Sequence, residues 1–222
     1  TDIGTTWNTI PFAASGQYST FNIYSMDIVG STILVGGTYG LMNKSTNAGA
    51  NWVTATSHTT VANMVDVYAS SGNGRVIAIG SNTGGLDACV YSTNGGTTWS
   101  RGTGAVPNNV LSDLSMRNST TGYVVGRFGI FWKTTNGGVT WDTSRSSNSA
   151  LTPYFCNGVD FVDDITGWVT GGVSGPGGNT KIWKTTDGGI NWVEQPQNYV
   201  GPVGVRIEFI DANTGYTVGV SQ

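Results

Sequence analysis

The residues of this sequence best suited to catalysis are seven carboxylates. They lie at or near the segments that we predict to be inner strands of a repeated sheet: Asp27, Asp66, Asp113, Asp160, Asp163, Asp164 and Glu208. Two carboxylates that face each other about 5–9.5 Å apart can hydrolyse a glycosidic bond. However, such a carboxylate recurs about once per repeat, and a feature repeated in this way is typical of a turn or a strand end. A hydrolase is therefore the less favoured interpretation.

Other catalytic sites lack the residues that they need. Cys89, Cys156 and His58 are the only cysteines and the only histidine, which are too few for a usual zinc site. The two cysteines occupy different positions of different repeats, so we favour two buried thiols over a disulfide. No phosphate-binding loop leads into a helix and no nucleophile elbow is present. We expect no metal and no cofactor.

The composition argues against two further classes of partner. Only 10% of the 222 residues are charged, the net charge is −3, and no cluster of Lys and Arg is present. Nucleic acids and anionic membrane surfaces are bound through basic patches, so we expect neither partner. No apolar run approaches the roughly 18 residues of a membrane-spanning helix. Abundant Thr, Ser, Asn and Gly with few charges favour a secreted or cell-surface protein, for which a bacterial source is expected.

A repeated eight-residue box determines the elements that would position these residues. It reads TTDGGINW at 185–192, and related boxes lie at 134–141, 92–99, 45–52 and, in part, 1–7. Asp or Asn followed by Gly favours a tight turn, and strand-like runs flank each box, so each box predicts a hairpin whose tryptophan is buried. The predicted structural residues are Asp2, Gly4, Trp7, Ser45, Asn47, Gly49, Trp52, Ser92, Asn94, Gly96, Trp99, Thr134, Asn136, Gly138, Trp141, Thr185, Asp187, Gly189 and Trp192.

The spacing of the boxes predicts the fold. Their tryptophans recur every 42 to 51 residues, which is the length of a four-stranded propeller blade. We predict an all-β protein with almost no helix, a single β-propeller domain over 1–222 built from about five antiparallel blades. The predicted blades are 22–56, 63–101, 110–144, 156–195, and 203–222 together with 1–11. Because the sequence starts inside a box, we expect a processed or excised piece. Either both ends complete the fifth blade, which we favour, or the array continues beyond this chain.

The boxes resemble the Asp-box repeat of bacterial neuraminidases, also called the BNR repeat. The fuller unit, DFVDDITGWVTGG followed by KIWKTTDGGINW, is similar to the repeats of photosystem II stability/assembly factor-like propellers and of secreted bacterial propellers. The resemblance covers essentially the whole chain, and Ala48 in place of a glycine is a small departure from it. It implies that each box lies at the outer rim, between the third and fourth strands, with a structural role.

The same resemblance raises the possibility of a sialidase, which the residues disfavour. A sialidase-like site would need three converging arginines, a tyrosine paired with a glutamate, and an aspartate. The chain has six arginines but only two glutamates, Glu194 and Glu208, which fall on an outer and an inner strand, and it lacks an Arg-Ile-Pro motif.

A binding surface remains the favoured interpretation. In a propeller, the loops after the second and fourth strands share one face, where exposed aromatic and arginine side chains can recognise a protein or a glycan. The candidates are Tyr18, Tyr39, His58, Arg127, Phe128, Arg145, Tyr154 and Tyr199, although each tyrosine could equally pack between blades.

The function that we expect is that of a non-enzymatic, extracellular or cell-surface module that binds protein or glycan, alone or within a larger multidomain or multisubunit assembly. The alternatives are a glycoside hydrolase, sialidase-like or of another carbohydrate-active Asp-box type, and an assembly factor of the photosystem II stability factor type. The short chain and the lack of an arginine-rich patch weaken the last alternative.

Overall fold

The computed structural model describes residues 22–54, 63–81, 89–104, 110–147, 150–173, 180–197 and 203–220. Within these ranges the chain forms only β-strands and three short 3-10 turns, at Thr38–Gly40, Arg127–Gly129 and Ser144–Ser147. The prediction of an all-β chain is confirmed. The same residues contain no helix that is long and apolar enough to cross a membrane.

The strands form five antiparallel sheets, and within each sheet the strands follow chain order. The first sheet contains β1 (Ile23–Val29), β2 (Thr32–Gly37), β3 (Met42–Ser45) and β4 (Val53–Thr54). The second contains β5 (Asn63–Ala69), β6 (Val76–Ser81), β7 (Cys89–Ser92) and β8 (Ser100–Arg101). The third contains β9 (Leu111–Met116), β10 (Gly122–Gly126) and β11 (Phe131–Thr134). The fourth contains β12 (Phe155–Phe161), β13 (Gly167–Gly172), β14 (Lys181–Thr185) and β15 (Val193–Glu194), and the fifth β16 (Val203–Phe209) and β17 (Gly215–Val220).

The third sheet differs from the predicted four strands. Its fourth strand is reduced to a single bridge between Lys133 and Asp142. The chain turns away there because Asp142 accepts hydrogen bonds from the N–H and the hydroxyl of Ser144, at 3.0 and 2.6 Å, and so starts the 3-10 turn Ser144–Ser147. The contribution that we predicted for 1–11, with Asp2, Gly4 and Trp7, lies outside the described residues.

In the second, third and fourth sheets, the second strand (β6, β10 and β13) is buried on both faces, which explains its continuous apolar sequence. In β6, Val76 and Ala78 pack in the cluster shared with the first sheet, whereas Ile77 and Ile79 pack in the cluster shared with the third. Another cluster joins the third and fourth sheets. Successive sheets are therefore held together by separate apolar clusters. We call the contact between two successive sheets a joint.

The first strand of every sheet carries a bulge at the same place. We call the residue directly after each bulge the bulge position. The residue two places further along the strand is called the second position. The bulge positions are Ser25, Asp66, Asp113, Gly158 and Arg206. The second positions are Asp27, Tyr68, Ser115, Asp160 and Glu208.

The two ends of each sheet are distinct. At the hairpin end, the box contacts the turn between the first two strands, as in the 2.9 Å hydrogen bond from the Gly188 N–H to the Ile165 carbonyl. At the opposite end, which we call the loop end, the 3-10 turns Thr38–Gly40 and Arg127–Gly129 connect the second strand to the third.

Candidate functional site

Each described box is a closed hydrogen-bonded turn. In the fourth sheet, Thr185 Oγ1 accepts the Gly189 N–H at 3.0 Å, and Asp187 Oδ1 accepts the Asn191 N–H at 2.9 Å. The other boxes make the same two bonds through Ser45 and Asn47, Ser92 and Asn94, and Thr134 and Asn136. Because Asn and Asp make the same bond, the turn requires an acceptor and no ionisable group.

Hydrogen bonds also set the charge state of Asp187. Partial burial favours its protonated form, but hydrogen bonds from Asn191, Thr185 and Ile190 outweigh burial and hold the pKa of Asp187 below its usual value. The carboxylate is therefore ionised and occupied by the turn.

The box also locks its sheet onto the preceding one. The indole of Trp192 contacts the rings of Phe131 and Phe161 edge-on, with centroids 5.1 and 6.2 Å apart. Trp99, Trp141 and Trp192 are buried, whereas Trp52 of the first sheet is only partly buried. The boxes are thus structural parts of the joints between sheets.

Four inner-strand aspartates accept backbone hydrogen bonds from the next sheet. The pairs, given as carboxylate and donor N–H, are Asp27 and Ala69 (2.6 Å), Asp66 and Leu114 (3.2 Å), Asp113 and Val159 (2.8 Å), and Asp160 and Phe209 (2.7 Å). Each bond satisfies an N–H at the bulged inner edge. Four of the seven carboxylates singled out by the sequence are therefore used to join sheets.

Two serines extend this network. Ser25 Oγ donates to Asp66 Oδ1 at 2.8 Å and accepts the Val67 N–H at 3.0 Å. Ser115 Oγ lies 3.2 Å from Asp160 Oδ1 and 3.3 Å from the Phe161 nitrogen, in the same arrangement. Sequence reasoning missed both serines, although each stands where a neighbouring repeat has an aspartate.

Arg206 joins three sheets at the centre. From the fifth sheet, its guanidinium pairs with Asp113 of the third and lies 3.4 Å from Asp66 of the second. Burial and the charge of Asp66 raise the pKa of Asp113 well above its usual value, and Arg206 only partly offsets them. Arg206 was not among the predicted site residues, because this approach spans 140 residues of sequence.

A cleft of about 520 Å³ opens beside this cluster, and residues of the third, fourth and fifth sheets line it. Its lining includes Asp113, Ser115, Asp160, Arg206, Glu208, Tyr216 and Val218. Glu208 is the exposed carboxylate of this group. In the part of the chain that the structure describes, no cluster of His, Cys, Asp and Glu is suited to a metal ion.

Asp163 and Asp164 lie elsewhere, in a turn at the hairpin end. Asp163 Oδ1 accepts the Ile165 and Thr166 N–H groups at 2.8 and 2.5 Å, and the bond from Ile165 is the largest cause of a lowered pKa for Asp163. The Asp164 carbonyl accepts the hydroxyl of Tyr123 at 2.8 Å. These two aspartates therefore serve a turn and do not join the cleft.

Tyr39 and Phe128 occupy equivalent places at the loop end of the first and third sheets. Each is the central residue of a three-residue 3-10 turn, with φ of 57° and 60° in the left-handed region. Both side chains are more than half exposed. Such backbone geometry is unfavourable for an aromatic residue, so the turn itself fixes where these rings point.

The Phe128 turn is extended by a neighbour that sequence reasoning missed. The Phe155 ring centroid lies 5.4 Å from that of Phe128, and the Arg127 guanidinium lies 5.4 Å above the Phe155 ring. Tyr154 instead packs on Trp183, with centroids 5.0 Å apart, beneath the Lys181 amine. Arg127, Phe128 and Phe155 thus form one surface.

Arg145, which was also predicted for this surface, does not belong to it. Arg145 donates to the Gly188 carbonyl at 3.1 Å and pairs with Asp142 at 3.2 Å, which places it at the hairpin end. Tyr18, His58 and Tyr199 lie outside the described residues.

Neither a protein-family model nor a curated protein matches this sequence. Solved structures do match its fold. YCF48 from Cyanidioschyzon merolae superposes with a TM-score of 0.65 at 18% identity, over 96% of this chain and 70% of that one. The GH74 xyloglucanase from Xanthomonas campestris gives 0.66 at 18% identity, over 86% of this chain and 34% of that one.

The chain is a β-propeller. The five sheets are its blades, and the predicted fold class is confirmed. A structure of YCF48 bound to D1 peptide also matches, with a TM-score of 0.57 at 16% identity, over 97% of this propeller and 81% of that chain. At these identities the similarity concerns the fold.

Proposed function

We propose that this propeller is a non-enzymatic protein-binding module that recognises a peptide segment with its loop end. The observation that carries the proposal is the pair of exposed aromatic residues, Tyr39 and Phe128, held at equivalent places with positive φ. A left-handed conformation costs a non-glycine residue about 1–2 kcal/mol. Strain of this kind is often retained at functional sites.

The chemistry of the surface suits a peptide. Aromatic and arginine side chains dominate the binding energy of protein interfaces because they present large, rigid contact areas. Phe128 and Phe155 offer adjoining rings, and Arg127 adds a positive charge for an acidic side chain or a carboxylate. The likeness to YCF48 bound to D1 peptide is consistent with peptide binding by a propeller.

The inner-strand carboxylates favour binding over hydrolysis. Each of four aspartates accepts an N–H of the following blade: Asp27, Asp66, Asp113 and Asp160. A catalytic role would need the same carboxylate that already binds the neighbouring blade. The low charge and the Thr, Ser, Asn and Gly content support an extracellular or cell-surface location.

A displayed peptide library, screened beside a glycan array and a panel of fluorogenic glycosides, tests the proposal. We expect selected peptides to bind, and the variants Tyr39→Gly and Phe128→Gly to bind at least about tenfold more weakly, a loss of about 1.4 kcal/mol. Val193→Thr is the matched control, because Val193 lies on an outer strand and is about as exposed as Tyr39 and Phe128. Thermal melting should show both glycine variants to be at least as stable as the wild type, because glycine relieves the strain of positive φ.

Three results would overturn the proposal. The first is peptide binding that neither glycine variant changes. The second is binding on the glycan array without any selected peptide. The third is glycoside hydrolysis that one carboxylate substitution abolishes, which would establish the hydrolase alternative.

A further inference from the structure

The joints between successive blades share one hydrogen-bonding pattern. In three of the four joints, the side chain at the second position of one blade accepts a backbone N–H from the next blade. The donor is the residue directly after the second position of that next blade. The pairs are Asp27 and Ala69 (2.6 Å), Ser115 and Phe161 (3.3 Å), and Asp160 and Phe209 (2.7 Å). This pattern defines two complementary halves, an acceptor half and a donor half.

Aromatic stacking repeats within the same pattern. Tyr123 pairs with Ser115 across the sheet and stacks on Phe161 of the next blade, with centroids 3.6 Å apart. Trp168 pairs with Asp160 and stacks on Phe209 at the same separation. A complete acceptor half therefore contains an acceptor and, beside it on the second strand, an aromatic ring.

The face of the fifth blade that is turned away from the fourth blade has the features of an acceptor half. Glu208 occupies the second position and Tyr216 pairs with it, as Tyr123 pairs with Ser115 in the third blade. Yet Tyr216 is 67% exposed and the neighbouring Val218 is 63% exposed, whereas Tyr123 is fully buried. Among the described residues, no blade packs on this face, although it carries the groups that form a joint.

The face of the first blade that is turned away from the second blade is an exposed donor half. Ile28 follows the second position and is 52% exposed, and Met26 is 58% exposed. Their equivalents in the fourth blade, Phe161 and Val159, are buried. The Ile28 N–H donates to Oδ1 of the adjacent Asp27 at 2.7 Å. The Phe161 N–H makes the same bond to the adjacent Asp160 and also contacts Ser115 Oγ of the preceding blade, so this bond does not prevent a contact between blades.

We propose that copies of this chain associate head to tail, the first blade of one packing on the fifth blade of another. Glu208 then accepts the Ile28 N–H of the second copy, and Tyr216 packs on the Ile28 side chain. The two faces differ, so the contact is heterologous and each copy presents one half to each neighbour. Both halves repeat features that pack inside the chain, which is why a second copy fits them better than an unrelated surface.

Mixing variants tests this arrangement. Tyr216→Asp removes the acceptor half and Met26→Asp removes the donor half, so each variant alone should sediment as a monomer over a dilution series in which the wild type associates. An equimolar mixture should form one-to-one dimers, because each variant retains the half that the other lacks. Native mass spectrometry identifies the mixed dimer, and Val53→Asp, also exposed, should associate as the wild type does.

Other outcomes would overturn the proposal. A monomeric wild type throughout the series, a mixture that stays monomeric, or variants that still associate would each do so. Lower melting temperatures of both variants without any association would mean that the two faces are covered within one molecule. Since a variant could fail to fold, Val218→Lys and Ile28→Lys repeat the test, and melting curves check every variant. Peptide binding at the loop end is measured separately, so the two proposals stand or fall independently.

Discussion

Asp160 Oδ2 accepts a 2.7 Å hydrogen bond from the Phe209 N–H, so a side chain of the fourth blade holds the backbone of the fifth. The other carboxylate oxygen lies within hydrogen-bonding distance of Ser115 Oγ and the Phe161 N–H. One side chain thus links three blades. The same carboxylate that suggested catalysis from sequence explains how the inner strands are kept in register.

Replacing Asp160 should destabilise the propeller. Asp160→Ala leaves the Phe209 N–H without its acceptor, which we expect to cost about 2–3 kcal/mol of the free energy of unfolding, and Asp160→Asn, which keeps one acceptor, should cost less. Urea unfolding followed by tryptophan fluorescence measures both. The control is Asp164→Asn, whose exposed side chain should tolerate the change within about 0.5 kcal/mol. Equal stability of Asp160→Ala and the wild type would contradict this role.

Asp113 should make stability depend on pH. Burial, with the nearby Asp66, raises the pKa of Asp113 in the folded state well above the usual 3.8, while Arg206 opposes the shift. The folded state therefore holds a proton that the unfolded state loses. The stabilisation is complete below about pH 3.8 and is lost as pH rises through the folded pKa, with a slope of at most about 1.4 kcal/mol per pH unit.

The isosteric variant Asp113→Asn isolates this effect. Its stability relative to the wild type should rise with pH, because Asn stays neutral where Asp must ionise. Urea unfolding at intervals from pH 4 upward measures the difference, in which contributions from carboxylates that do not interact with Asp113 cancel. A difference that does not change with pH would show that Asp113 titrates normally.

The sequence was most informative where structure is local. Thr185 and Gly189 lie four residues apart and their bond closes one turn, so the residue types sufficed to predict the box. The spacing of the tryptophans then predicted the blades. Ala48, which replaces a glycine, still adopts φ of 55°, so the turn tolerates an alanine at this place.

The sequence was least informative where residues meet across blades. Arg206 reaches Asp66 and Asp113 only because the bulges aim these side chains toward the same centre, and a shift of one residue would turn each to the other face. Arg145 was predicted on the loop end, but Asp142 starts a 3-10 turn that keeps it at the hairpin end. Neither outcome depends on local residue preference.

Gly189 should tolerate alanine far less well than Gly30. Both have positive φ, 85° and 62°, but a Cβ on Gly189 would overlap the Phe131 ring, whereas a Cβ on Gly30 meets no atom within 4 Å. Gly30→Ala therefore measures the backbone cost alone, about 1 kcal/mol, and Gly189→Ala should cost about 3 kcal/mol or more. Chemical unfolding compares the two. Similar losses would mean that the preceding blade yields to the extra methyl group.

Cys156 should be unreactive in the folded protein. Burial raises the pKa of its thiol to about 12 from the usual 9.0, which lowers the thiolate fraction about a thousandfold at pH 8, and no disulfide joins it to Cys89, which is also buried. A thiol-reactive chromophore at pH 8 should leave both cysteines unlabelled until urea unfolds the chain, when both react. An introduced cysteine in Val193→Cys, at an exposed position, is the positive control and should react at once. Rapid labelling of Cys156 in the native state would mean that the joint between the third and fourth blades opens readily, and mass spectrometry of the labelled peptides would identify which cysteine reacted.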